Sequence, residues 1–216
     1  MKKTVNGVIF DMDGLMFDTE KIYGIYWREV SAELGFPMDE AMVAQMCGAV
    51  RDFQIKTLRD LLGDEAPAET IIDETMRRTR EHITHNPIPM KAGLIELLTA
   101  LRERNIPAAV ATGTRRVYAN DMLTRTGVAP YITAMVCGDE VSACKPDPEI
   151  FLKAAALIGV PPIECIVLED SYNGIRAAHA AGAQPIMIPD TMQPTEEIRA
   201  LCTHVLPRLD NVINVL

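Results

Sequence analysis

The chain has 216 residues, 48% of them hydrophobic and 24% charged, with 13 glycines and 14 prolines. These proportions belong to a globular chain and exclude a disordered, collagen-like or low-complexity one. At about 150 residues per domain, the length suits one domain or one with an insertion. Asp and Glu number 30 against 21 Lys and Arg, a formal net charge of −9. That charge argues against sequence-independent nucleic-acid binding and against an anionic membrane surface.

Residues 5–10 form a short apolar run ending in Val8-Ile9-Phe10, which reads as a buried strand. From Thr19 the period changes: Ile22, Tyr26 and Val30 recur at helical spacing until Gly35 and Pro37 stop them. Residues 39–46, 51–62 and 68–84 also read as helices, separated by Gly48, Gly63 and Pro67. Asn86-Pro87-Ile88-Pro89 reads as a linker. Beyond it, helices at 91–104, 115–126, 148–158 and 172–181 alternate with strands at 107–111, 132–137, 163–168 and 184–188. Such alternation predicts right-handed βαβ units and a parallel sheet. The expected architecture is an α/β core of residues 1–17 and 86–216, with an all-helical insertion of residues 18–85 after the first strand.

The five cysteines, Cys47, Cys137, Cys144, Cys165 and Cys202, are odd in number and form no CxxC pair. Reduced thiols are therefore expected, and no zinc spacing is present. Met1–Thr4 are followed by no apolar run of signal-peptide length, and no stretch reaches the ~18 apolar residues of a membrane span. A cytoplasmic protein is expected. Nothing in the sequence sets the oligomeric state, and a monomer is the default expectation.

Ligands of a parallel sheet sit at the carboxyl ends of its strands. After the first strand stand Asp11, Asp13 and Gly14; after the second, Thr112, Gly113 and Thr114; near the end of the third, Lys145; after the fourth, Glu169, Asp170 and Ser171. Carboxylates a few ångströms apart repel in a low dielectric, and a hard divalent cation resolves the repulsion. Aspartate oxygens, a backbone carbonyl and waters suit octahedral Mg²⁺. Asp11 and Asp13, two residues apart, can work together, one attacking phosphorus while the other protonates the leaving oxygen. Lys145 supplies fixed positive charge and the Thr112 hydroxyl a donor for a phosphoryl oxygen, the electrostatic preorganisation that phosphoryl transfer needs. The Glu169-Asp170 pair also suits the N-terminus of the helix that follows, with Ser171 nearer the cap.

Asp11-Met12-Asp13-Gly14-Leu15-Met16-Phe17-Asp18-Thr19-Glu20 resembles the first motif of the haloacid dehalogenase superfamily, in particular its β-phosphoglucomutase-like branch of small sugar-phosphate phosphatases and mutases. The resemblance continues through Val110-Ala111-Thr112, Lys145-Pro146-Asp147-Pro148 and Leu168-Glu169-Asp170-Ser171-Tyr172-Asn173-Gly174, in order along the whole chain. It implies a three-layer, Rossmann-like parallel-sheet core with a mobile helical cap. It also implies an aspartyl-phosphate on Asp11, acid/base work at Asp13 and phosphate contacts from Thr112, Gly113 and Lys145. Mg²⁺ would be held by Asp11, the Asp13 carbonyl and Asp170, with Glu169 at or near its water shell. Gly48-Ala49-Val50-Arg51 resembles the cap loop that reaches the distal part of the substrate, so Arg51 is an expected substrate contact, as is Tyr23 at the cap entry.

The expected function is a Mg²⁺-dependent phosphatase whose partner is a small phosphorylated metabolite, a sugar or polyol phosphate. A hexose-phosphate mutase is the alternative. Mutases of this branch usually carry a histidine where this chain has Tyr23, which favours the phosphatase. A third reading is a non-catalytic module that senses a phosphometabolite. The four histidines lack metal-ligand partners, Cys144 lacks a His/Asn arrangement, and Arg115-Arg116 suits an ordinary helix face.

Overall fold

The structure, a computed structural model, describes residues 4–46 and 51–216. The chain divides into two compact units, Met1–Phe17 with Met90–Leu216, and Asp18–Pro89. Asn86–Pro89 thus groups with the helical unit.

The first unit is α/β. Its strands are β1 (Gly7–Phe10), β2 (Ala108–Thr112), β3 (Ala134–Cys137), β4 (Cys165–Glu169), β5 (Gln184–Met187) and β6 (His204–Val205). They form one parallel sheet in the order β3-β2-β1-β4-β5-β6. β1 sits between β2 and β4, which is where the strand order reverses, and the ligand crevice of such a sheet lies outside the carboxyl ends at that point. The helices of this unit are α5 (Leu94–Glu103), α6 (Arg116–Arg125), α7 (Glu149–Leu157), α8 (Tyr172–Ala180) and α9 (Glu196–Leu201).

Strand residues alternate between the two faces. On one face Ile9, Ala109, Ala111, Val136 and Val167 pack against Ile150, Phe151, Ala154 and Ala155 of α7 and Ala177 and Ala178 of α8. Alanine recurs on both sides of this layer, so helix and sheet backbones approach closely, and extra methylenes there would cost about 1–3 kcal/mol. Val8, Phe10, Val110 and Leu168 point the other way and are fully buried too, as a sheet covered on both faces requires.

The second unit holds α1 (Thr19–Glu33), α2 (Glu40–Ala44), α3 (Arg51–Leu62) and α4 (Ala68–His85). Trp27, Val30, Val43, Met46, Leu58, Ile71 and Ile72 make its core. Gly35, at φ +88°, follows the end of α1, and the Asp39 carboxylate caps α2 by accepting from Met42 N at 2.8 Å. Among the described residues no helix is long and apolar enough to cross a membrane.

Candidate active site

Asp11 stands one residue beyond β1, and its N–H still donates to Leu168 O at 3.0 Å, so the sheet itself fixes its backbone. The Lys145 ammonium lies against its carboxylate. Lys145 Nζ donates to Asp11 Oδ1 at 2.5 Å, to Glu169 Oε1 at 2.6 Å and to Ala111 O at 3.1 Å. It also sits 4.8 Å from the centroid of the Phe151 ring. Three acceptors and a ring face hold this lysine in one place.

Glu169 ends β4 and is fully buried. Its second oxygen, Oε2, accepts from Asp170 N at 3.1 Å, Ser171 N at 3.0 Å and Ser171 Oγ at 2.9 Å. Ser171 also caps α8, its Oγ accepting from Gly174 N at 3.0 Å. The carboxylate therefore lies at a helix N-terminus, where free N–H groups and the helix dipole favour negative charge. It fills the space that a Cβ at Gly174 would occupy, which is why that position carries none.

One oxygen each of Asp11, Glu169 and Asp170 lies within 4.8 Å of the others. Three carboxylates gather here, and the Lys145 ammonium bonds two of them, Asp11 and Glu169. An all-oxygen donor set of this kind fits a hard divalent cation such as Mg²⁺. Burial pushes the Asp11 carboxyl up to about 8, with Lys145 pulling against the rise and Glu169 and Asp13 adding to it. Burial works against the Lys145 charge as well, but Asp11 and Glu169 outweigh it and raise its pKa.

Asp13 lies in the turn after Asp11. Gly14, at φ +82°, allows that turn, and Gly14 N donates back to Phe17 O at 2.9 Å. Asp13 Oδ2 accepts from Thr114 Oγ1 at 2.7 Å and faces Thr112 Oγ1 at 3.4 Å. Thr112 is the buried last residue of β2, and its Oγ1 also accepts from Thr114 N at 3.0 Å. Gly113 is exposed between them. A Cβ at Gly138 would run into the Gly113 carbonyl, so Gly138 permits the close approach of the two loops.

The expected residues Asp11, Asp13, Thr112, Lys145, Glu169 and Asp170 thus all lie at the carboxyl edge of the α/β unit. Tyr23 and Arg51 belong to the helical unit. Tyr23 lies on α1 against that unit's core. Arg51 opens α3 and donates from Nη1 to Asp73 Oδ1 at 2.6 Å. Gly48, Ala49 and Val50 lie outside the described residues. Arg116 bonds to Glu140 and to Met135 O, pinning the start of α6 beside β3. Thr114 stands among the strand-end residues of the sequence with no role assigned to it; its signal there is a second hydroxyl two residues beyond Thr112.

Residues 8–188 match the family described as haloacid dehalogenase-like hydrolase. The chain is 30% identical over 217 residues to a phosphorylated carbohydrates phosphatase of Thermotoga maritima, covering 98% of both chains. It is 33% identical over 181 residues to a fructose-1-phosphate phosphatase of Escherichia coli, covering 83% of this chain and 94% of the relative. Among solved structures, the CbbY protein of Rhodobacter sphaeroides in complex with phosphate superposes with a TM-score of 0.78 at 25% identity, covering 97% of this chain and 96% of the other.

Proposed function

The chain belongs to the haloacid dehalogenase-like hydrolases, and we propose that it is a Mg²⁺-dependent phosphatase of small phosphorylated carbohydrates or polyols that works through an aspartyl-phosphate on Asp11. The observation that carries this reading is the Asp11 carboxylate at the end of the central strand, held by Lys145 and facing Glu169 and Asp170. The two relatives named as sugar-phosphate phosphatases support the substrate class. Free thiols at Cys137, Cys144, Cys165 and Cys202 support a reducing, cytoplasmic setting.

In this reading Asp11 attacks phosphorus as the bond to the leaving oxygen breaks, and Asp13 gives that oxygen its proton. Asp13 then takes a proton from water, whose oxygen attacks phosphorus and breaks the bond to Asp11. Inorganic phosphate leaves, and both aspartates return to their starting states. Lys145 and the Thr112 hydroxyl neutralise and orient the phosphoryl oxygens. Asp11, Asp170 and the Asp13 carbonyl would hold Mg²⁺, with Glu169 at or near its water shell. Bound there, the ion would offset the repulsion between the carboxylates and an incoming phosphate. The helical unit would serve as the lid that excludes water, with Arg51 and Tyr23 contacting the substrate.

The test is release of inorganic phosphate from a panel of phosphomonoesters with Mg²⁺, wild type beside Asp11→Asn. Turnover that the substitution lowers by about 10⁴-fold is expected for loss of a nucleophile. Equal phosphate release by both proteins on every substrate would sink the proposal.

A further inference from the structure

We infer that Thr114 is a positioning residue for Asp13: its hydroxyl aims the carboxyl group that protonates the leaving oxygen. The inference rests on the phosphatase reading above. Thr114 Oγ1 donates to Asp13 Oδ2 at 2.7 Å, whereas Thr112 Oγ1 stands 3.4 Å from the same oxygen. The two threonines therefore divide their work. The long contact leaves the Thr112 hydroxyl able to turn to a phosphoryl oxygen, while the short one belongs to Asp13.

The Thr114 hydroxyl is not needed to shape its own loop. The Thr114 backbone is held at both ends without it: its N–H donates to Thr112 Oγ1 at 3.0 Å, and its carbonyl accepts from Gly138 N at 3.2 Å. The Gly138 contact is itself fixed, because the loop packs so closely that position 138 has no room for a Cβ. A rigid loop thus carries one hydroxyl to one carboxylate oxygen 101 residues away in sequence. The Asp13 backbone is equally constrained by its bridge to Phe17 and the bond from Gly14 N to Phe17 O. With both backbones fixed, the short hydrogen bond from Thr114 acts on the freedom that remains, the rotation of the Asp13 carboxyl group. Proton transfer needs that group within hydrogen-bond reach of the leaving oxygen.

Leaving groups differ in their need for this proton. An alkoxide must be protonated as it departs; a nitrophenolate need not be. The experiment compares kcat/KM of wild type, Thr114→Val and Thr114→Ser on the best alkyl phosphate of the panel and on p-nitrophenyl phosphate, both with Mg²⁺. Thr114→Val is expected to lose about 10- to 100-fold on the alkyl phosphate, the scale of a misplaced catalytic group, and less than about threefold on p-nitrophenyl phosphate. Thr114→Ser, which keeps the hydroxyl, is expected to recover most of the loss. If the valine variant melts early, Thr114→Ala takes its place in the same comparison. Equal losses on both substrates, no loss on either, or a serine variant no better than valine would overturn the inference. Wild-type turnover that Asp11→Asn abolishes, without the split between leaving groups, overturns the role of Thr114 alone. Absence of Asp11-dependent turnover overturns the phosphatase reading and this inference with it.

Discussion

Lys145 and Glu169 form an ion pair 2.6 Å long in which the Glu169 side chain is only 1% exposed. Removing Glu169 takes from the buried Lys145 ammonium the second of its two carboxylates while Asp11 stays beside it, and breaking a buried pair costs up to about 3–5 kcal/mol. Glu169→Ala also strands the Asp170 and Ser171 N–H groups and the Ser171 hydroxyl that now donate to Oε2. Chemical denaturation without added metal is expected to show a loss of about 3–5 kcal/mol for Glu169→Ala. Glu169→Gln, which retains a carbonyl acceptor, should lose less. A loss below about 1 kcal/mol for the alanine variant would mean that the pair behaves as a solvated one.

The parts of this site that stand at strand ends were legible in the sequence. Asp11, Thr112 and Glu169-Asp170 follow apolar runs, and the rule that ligands gather at carboxyl ends brings them together. Lys145 was legible through its motif with Pro146 and Pro148. Hydrogen-bond partnership was not legible, because it depends on loop geometry. Thr114 and Asp13 are 101 residues apart, and no periodicity links a residue in the turn after β2 to one in the turn after β1. The double duty of Glu169, bonded to Lys145 through one oxygen and to the start of α8 through the other, is likewise a matter of atomic placement. Element cores were read more easily than their ends. β6 carries no signal of its own in the sequence, because two residues, His204 and Val205, are too short a run to show alternation.

The protonation of Asp11 gives a pH dependence with a definite sign. Burial, the largest influence, lifts its pKa from 3.8 to about 8. A group whose folded pKa is raised stabilises the fold below its unfolded pKa, and that contribution is lost as pH rises through the folded one. Without metal, Asp11 therefore contributes progressively less to stability between about pH 4 and 8. A cation held by this carboxylate needs it ionised, so binding releases a proton at the acid end of the window and little at the alkaline end. The rise in melting temperature produced by saturating Mg²⁺ is expected to grow from pH 5 to pH 8 and then level off. In Asp11→Asn the same rise should be small and flat with pH. A wild-type shift that is equally large at pH 5 and pH 8 would count against Asp11 as the titrating group.

Arg51 carries the last prediction, because in this structure its guanidinium already has an anionic partner. Nη1 lies 2.6 Å from Asp73 Oδ1, with both side chains about half exposed or more, at 49% and 66%. A solvated pair of this kind adds little to stability and exchanges partners readily. On the proposed contact between Arg51 and the substrate, a second anionic group would compete with Asp73 for the guanidinium and displace that carboxylate. Asp73→Asn removes the competitor while leaving a neutral acceptor for Arg51. It is expected to lower KM for substrates with two anionic groups by about twofold, the effect of freeing about half a kcal/mol of exposed pairing. KM for monophosphates without a second charge should stay unchanged, as should kcat for both. Arg51→Ala should raise KM for the doubly anionic substrates and leave kcat alone, the pattern of uniform binding that acts equally on ground and transition states. Neither substitution should shift the melting temperature appreciably. If Asp73→Asn leaves KM untouched while Arg51→Ala raises it, Arg51 meets the substrate without leaving Asp73. If neither variant changes KM, the arginine belongs to the helical unit's surface and takes no part in substrate binding.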